Sequence, residues 1–160
     1  MTVHERRTLG TVGGREVHVS AAVVVDAVGR ALVVRKRGTT VFMQPGGKPE
    51  RDETPAITCA RELREETGLD IPVDELHPLG VFRAAAANEP GFTVVAHAFS
   101  VTVDAASVSP RAEIEEARWI APGEEHTLPL APLSTEFLLP AAWAMTASPG
   151  TPHRPAGLRT

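Results

Sequence analysis

Between Gly46 and Leu69 the chain reads GGKPERDETPAITCARELREETGL, and a helix through this stretch can be accommodated in very few ways. At about 100° per residue, Glu62, Glu65 and Glu66 fall at the i, i+3, i+4 spacing and share one helical face. Ala56, Ile57, Ala60 and Leu63 lie roughly opposite and form the apolar stripe that a helix lays against a sheet. One side is therefore expected to pack, and the other to stay acidic.

Acids so placed work against stability. Gly68 stands where a helix usually ends, so the last turn already carries the negative end of the helix dipole. Like charges at i, i+4 repel by a further increment of about 0.2–0.5 kcal/mol per pair on an exposed helix. A divalent cation reverses both penalties, and ligands that offer only oxygen suit Mg²⁺ or Mn²⁺ better than zinc. A plainer alternative treats RELREE as a solvated face on which Arg61 and Arg64 pair with the acids.

The longer spacing favours the metal. The pattern G-x5-E-x7-R-E-U-x-E-E-x-G-U, with U aliphatic, is met at Gly47, Glu53, Arg61, Glu62, Leu63, Glu65, Glu66, Gly68 and Leu69. With each fixed letter at about one in twenty, chance agreement in a given window is on the order of 10⁻⁹. In these residues the chain resembles the Nudix hydrolases, whose signature box this is.

The resemblance implies an α/β/α sandwich with a mixed sheet and a metal-dependent attack of water on a diphosphate, as in a nucleoside diphosphate linked to another group. It implies Glu62, Glu65 and Glu66 as metal ligands, with Glu62 or a neighbour as the base, and the Gly46 carbonyl as a further ligand. Arg61 and Glu53 become a supporting pair that orients the acids. One more acid commonly precedes a later strand in the family, and Glu113 and Glu116 are the two candidates. The chemistry agrees, because pyrophosphate charge must be neutralised before hydroxide can approach phosphorus, and a carboxylate free of full coordination can take the proton.

The rest of the chain frames this box. A two-glycine turn at Gly13-Gly14 predicts an edge hairpin between Leu9–Val12 and Glu16–Ser20. AAVVVDAVGRALVVRKRG predicts two central strands around a turn at Asp26–Arg30, in a sheet covered on both faces. Pro45-Gly46-Gly47 reads as a loop. The box helix should start near Thr54, capped by Asp52 or Thr54 with Pro55 in its first turn, and end at Thr67. Leu76–Ala86 and Phe92–Val103 predict a hairpin across Asn88-Glu89-Pro90-Gly91, and a strand around Trp119 follows. Ser134 is expected to cap a helix through about Ala147, kinked or displaced by Pro140, with Phe137, Leu138, Ala141, Ala142 and Met145 as its stripe. These elements predict one domain over residues 1–147 and a disordered tail over 148–160.

Charge and composition limit the partners. A net charge of −4 gives no global basic field, so no stable nucleic-acid partner is expected. Arg35, Lys36 and Arg37 form a local basic strip, and Lys48 lies beside the acids, so Arg35, Arg37 and Lys48 are candidates for steering a phosphate. Phe42, Phe82, Phe92 and Asn88 could read a base, although each fits the core or a turn more readily. The single cysteine, Cys59, permits no intrachain disulfide, no aliphatic run spans a bilayer, and no signal peptide is evident, which predicts a cytoplasmic address without membrane attachment. The expected partner is a small-molecule nucleotide, and a homodimer stays open. A nucleotide-sensing module without catalysis, or a hydrolase of RNA 5′ ends, are the rival functions.

Overall fold

In the computed structural model, which describes residues 15–147, the central element is β1, Glu16–Asp26. It is followed by β2 (Ala31–Lys36), β3 (Phe42–Met43), β4 (Gly46–Gly47), α1 (Pro55–Thr67), β5 (His77–Ala85), β6 (Thr93–Val103), β7 (Ile114–Ile120) and α2 (Leu139–Ala147). The sheet runs β3-β2-β1-β6-β5, with β4 paired to β1 and β7 to β2. β1 and β6 are parallel along their whole length, from Glu16 opposite Thr93 to Asp26 opposite Val103, and the other pairs are antiparallel. The sheet is therefore mixed, as expected.

Side-chain alternation along β1 creates two cores. Ala21, Val23 and Val25 point to a cluster closed by Leu138, Leu139 and Ala142 at the C-terminal helix. Ala22 and Val24 point to the other face, against Cys59, Ala60 and Leu63 of α1. The uninterrupted aliphatic run follows from this double burial, and the architecture is an α/β/α sandwich. No helix among the described residues is long and apolar enough to cross a membrane.

The boundaries of α1 follow local chemistry. Thr54 accepts a hydrogen bond from the Ile57 N–H at 3.2 Å, Pro55 occupies the first turn, and Gly68 ends the helix with φ 78°. The predicted hairpin of β5 and β6 and the turn at Asp26–Arg30 are both present.

Several expectations are corrected. Glu16–Ser20 is the first part of the long strand β1, continuous with Ala21–Val25. Its proposed partner, Leu9–Val12, and the tail at 148–160 lie outside the described residues. Gly46-Gly47 is a short strand instead of a loop, paired with Ser20 and Ala21. A Cβ on Gly46 would lie 2.1 Å from the Ser20 carbonyl oxygen, so only glycine allows this approach.

The packing face of α1 is also rotated from the expected stripe. Ile57 is 42% exposed, whereas Cys59 and Leu63 are fully buried and Glu66 is 1% exposed. Glu66 stands two turns beyond Cys59, within about 20° of arc, and so falls on the packing side. At the C-terminus, Ser134 does not cap the helix: Leu133 is already helical, Ser134–Leu138 is a π-helical turn, and the α-helix begins at Leu139. Pro140 has no N–H for an α-type bond to Glu136, and the Leu139 N–H instead reaches back to Ser134.

Two outcomes follow from the rotated face. Leu63→Ala should cost about 2–5 kcal/mol in urea denaturation, while Ile57→Ala should stay within about 0.5 kcal/mol. Burial, with the nearby Glu62 charge adding to it, pushes the Cys59 thiol up to about 12. Cys59 should thus resist a disulfide reagent in the native protein and react once urea unfolds it.

Candidate active site

Arg61 ties the loop before α1 to the helix. Its Nε donates to Glu53 Oε2 at 2.7 Å and its Nη2 to Glu53 Oε1 at 2.9 Å, a bidentate fork. Nη2 also reaches the Lys48 carbonyl at 3.0 Å, and Nη1 reaches Glu62 Oε2 at 3.0 Å and Glu65 Oε1 at 3.2 Å. Hydrogen bonding from Arg61, assisted by the Glu50 N–H, holds the Glu53 carboxyl down to about 2, and the same fork raises the Arg61 guanidinium above its ordinary value. The Arg61 side chain is only 12% exposed, which rules out a merely solvated ion-pair face.

Three carboxylates converge beside this fork. Glu62, Glu66 and Glu113 each offer an oxygen within 4.8 Å of the others. Glu66 Oε1 accepts from the Gly46 N–H at 3.2 Å, and its buried Oε2 has no partner among the described residues. Burial, with the Glu62 charge next, raises the Glu66 carboxyl to about 9. Burial also raises Glu62, against the opposing hydrogen bond of Arg61. A Cβ on Gly47 would meet Glu62 Oε2 at 2.3 Å, so the second glycine makes room for that carboxylate.

Glu113 is delivered by a loop pinned to the end of α1. The Ser109 N–H donates to the Thr67 carbonyl at 3.0 Å and the Arg111 N–H to the Glu66 carbonyl at 2.9 Å, while the Glu113 carbonyl accepts from the Arg37 N–H at 2.8 Å. The two candidate acids are thereby separated: Glu116 pairs with Arg35 and Arg118 on β7 and is not in the cluster. Glu65 also lies outside the group of three, half exposed and bonded to Arg61.

These residues fit a divalent cation. All three acids supply hard oxygen ligands, one of the oxygens is buried and unsatisfied, and a buried carboxylate beside another is costly unless a positive charge joins it. Zinc, which prefers nitrogen and sulfur, is a poorer match.

A cleft of about 680 Å³ opens over the cluster, lined by Lys36, Gly46, Gly47, Lys48, Glu62 and Glu113, with Asn88 at its side. Strand alternation splits the basic strip. Lys36 faces the cleft, whereas Arg35 pairs with Glu116 and Arg37 with Glu115. The phenylalanines are engaged elsewhere: Phe42 lies under Arg35 and Arg118, Phe82 packs on Phe137 at 5.3 Å, and Phe92 lies under Arg15. The sequence pattern missed the burial of Glu66 and the buried pair of Gln44 and Ser134, in which Ser134 Oγ donates to Gln44 Oε1 at 2.6 Å. The apolar arc around Cys59 held a signal for Glu66, but no motif marked Gln44.

Known proteins resemble this chain in sequence and in fold. A "MutT-like protein" of Streptomyces ambofaciens is 46% identical over 63 residues, covering 39% of this chain and 40% of that protein. "Phosphatase NudJ" of Escherichia coli K12 is 48% identical over 54 residues, covering 32% of this chain and 35% of its own length. The matches thus span well under half of these curated relatives. Among solved structures, the NUDIX domain of Shewanella oneidensis NrtR complexed with ADP ribose superposes with a TM-score of 0.67 at 16% identity, covering 81% of this chain and 88% of that one, a likeness of fold. The family profile of the NUDIX domain matches residues 14–139, most of the chain and all of the signature. The chain belongs to the Nudix family.

Proposed function

We propose that this protein is a metal-dependent pyrophosphohydrolase that cleaves the diphosphate linkage of a nucleoside triphosphate or of a nucleoside diphosphate joined to another group. The observation that carries the proposal is the convergence of Glu62, Glu66 and Glu113 around an unpartnered buried oxygen, beneath a cleft that also holds Lys36 and Lys48. The family membership and the ADP ribose bound by a neighbour's NUDIX domain support a nucleotide ligand.

Glu62, Glu66 and Glu113 are the residues that would hold Mg²⁺ or Mn²⁺, with the Gly46 carbonyl as a further donor, while Glu65, bonded to Arg61, would support them from outside the group. When bound, such an ion neutralises phosphate charge and lowers the pKa of water. Arg61, anchored by Glu53, fixes Glu62 by donating to Oε2, and Glu62 so held would accept the proton of the attacking water. The raised pKa of Glu62 suits that task. Lys36 and Lys48 draw the phosphates along the cleft, whereas Arg35 and Arg37, paired with Glu116 and Glu115, are not among its lining residues. A protein with one buried cysteine and this substrate class fits the cytoplasm.

A panel of nucleoside diphosphate derivatives incubated with Mg²⁺ should yield phosphorylated products, and EDTA should abolish them. Glu66→Gln should lower kcat by about 100-fold or more with the far-ultraviolet circular dichroism unchanged. Full activity in that variant, or turnover in EDTA, would defeat the assignment.

The titration of Glu66 gives a separate outcome. Its folded pKa is raised, so its contribution to stability is present below the ordinary 4.5 and lost as pH rises toward about 9. Metal-free protein should therefore lose thermal stability across that interval, and Glu66→Gln should show a flatter profile. Mg²⁺ should raise Tm more above about pH 8 than below about pH 5, because only the ionised cluster binds it.

A further inference from the structure

Beyond the acid cluster, the cleft continues into a second cavity of about 120 Å³ that shares Val19, Lys36, Met43, Gly46 and Gly47 with it. The walls of this inner cavity are otherwise apolar, from Ala85, Ala131, Leu133 and Leu138 among others, and the polar residues Ser20, whose hydroxyl is engaged by the Pro55 carbonyl, Gln44 and Ser134 interrupt them. Gln44 is 6% exposed, and its Nε2 has no hydrogen-bond partner among the described residues.

The pairing with Ser134 sets which end of the amide faces the cavity. Ser134 is fully buried, and its Oγ lies 2.6 Å from Gln44 Oε1, a length typical of O–H···O and short for N–H···O. The hydroxyl therefore donates to the oxygen, and the NH₂ is the end left over. An unpaired buried donor destabilises the protein that holds it, a cost that a ligand acceptor can remove. Ser134 opens the π-helical turn Ser134–Leu138 and is buried there.

The geometry points to Gln44 as the specificity-determining donor of the substrate-binding cleft, giving Nε2–H to a carbonyl or ring-nitrogen acceptor on a nucleobase whose six-membered ring enters the inner cavity. The size fits one ring: in another protein, an engineered apolar cavity of about 150 Å³ holds benzene. No aromatic side chain among the described residues lines this cavity, so the ring is gripped by aliphatic walls and the Met43 thioether instead of by stacking. Ser134 is a positioning residue, since it touches Gln44 and fixes the amide's orientation. The assignment rests on the hydrolase proposal for the place of the diphosphate, at the acidic end.

Calorimetric titration in Mg²⁺ separates the two ends of the ligand. The probes are the α,β-methylene analogues of uridine and adenosine diphosphate, and ring-free methylenediphosphonate. Gln44→Met, which keeps the length and removes the donor, should weaken the better nucleoside analogue by about 10- to 100-fold and leave methylenediphosphonate unchanged. Gln44→Leu serves the same purpose should the first variant misfold. Ser134→Ala, with Nε2 intact but free to turn, should lose a smaller factor on the nucleoside analogue alone. Equal losses on both probes, no loss on either, or a wild type that binds neither nucleoside analogue more tightly than methylenediphosphonate would overturn the assignment. Turnover of uridine and adenosine triphosphate, and of the two diphosphates joined to a sugar or a second nucleoside, is read in parallel. If the wild type cleaves none while the binding contrast persists, the hydrolase proposal fails and the role of Gln44 stands; if it cleaves them and the contrast is absent, the reverse holds.

Discussion

A carboxylate buried on the packing side of a helix, next to a second carboxylate, is the constraint around which this protein is built. Glu66 is 1% exposed and one of its oxygens is unpartnered among the described residues. Placed there without compensation, an acid has its pKa pushed up by burial and by the neighbouring Glu62 charge. Much of the surrounding structure bears on this one side chain. β4 exists as a strand in which Gly46 turns its N–H toward Glu66, and the loop that carries Glu113 is bonded to the Glu66 carbonyl. Arg61 keeps the second acid, Glu62, in register by linking it to Glu53. A fold selected for stability alone would fill the Glu66 position with a leucine.

The sheet determines where this acid can act. β1 carries the apolar cores on both its faces and also supplies Ser20 and Ala21 as the partners of β4. The same strand thus supports α1 and sets the floor of the cleft. Both ends of that cleft are polar for different reasons. At one end charge accumulates, and at the other a single amide stands among aliphatic walls. A nucleotide has the same division between a charged diphosphate and a flat base.

Elements whose determinants are local were legible in the sequence. Thr54, Pro55 and Gly68 mark the ends of α1 because capping and backbone conformation depend on neighbouring residues. The pairing of Arg61 with Glu53 was legible only through the resemblance to the Nudix box, and the structure shows it as a bidentate fork. Phase and register were harder. The arc centred on Ala60 and the arc centred on Cys59 are both apolar enough to pack, and only the position of the sheet decides that Ile57 turns outward and Glu66 inward. The choice between Glu113 and Glu116 depends on the pairing of β2 with β7, where a register shift falls between Arg35 and Lys36. Neither the long parallel pairing of β1 with β6 nor the meeting of Gln44 with Ser134, 90 residues apart, has a local signature.

Anomalous scattering from a crystal soaked in Mn²⁺ tests the central claim most directly. A manganese peak bounded by the carboxylates of Glu62, Glu66 and Glu113, with Glu66 Oε2 among its ligands, is the predicted result. No peak at that position, or a manganese ion held elsewhere while Glu66 keeps its proton, would contradict the claim that this buried acid is there to hold a cation.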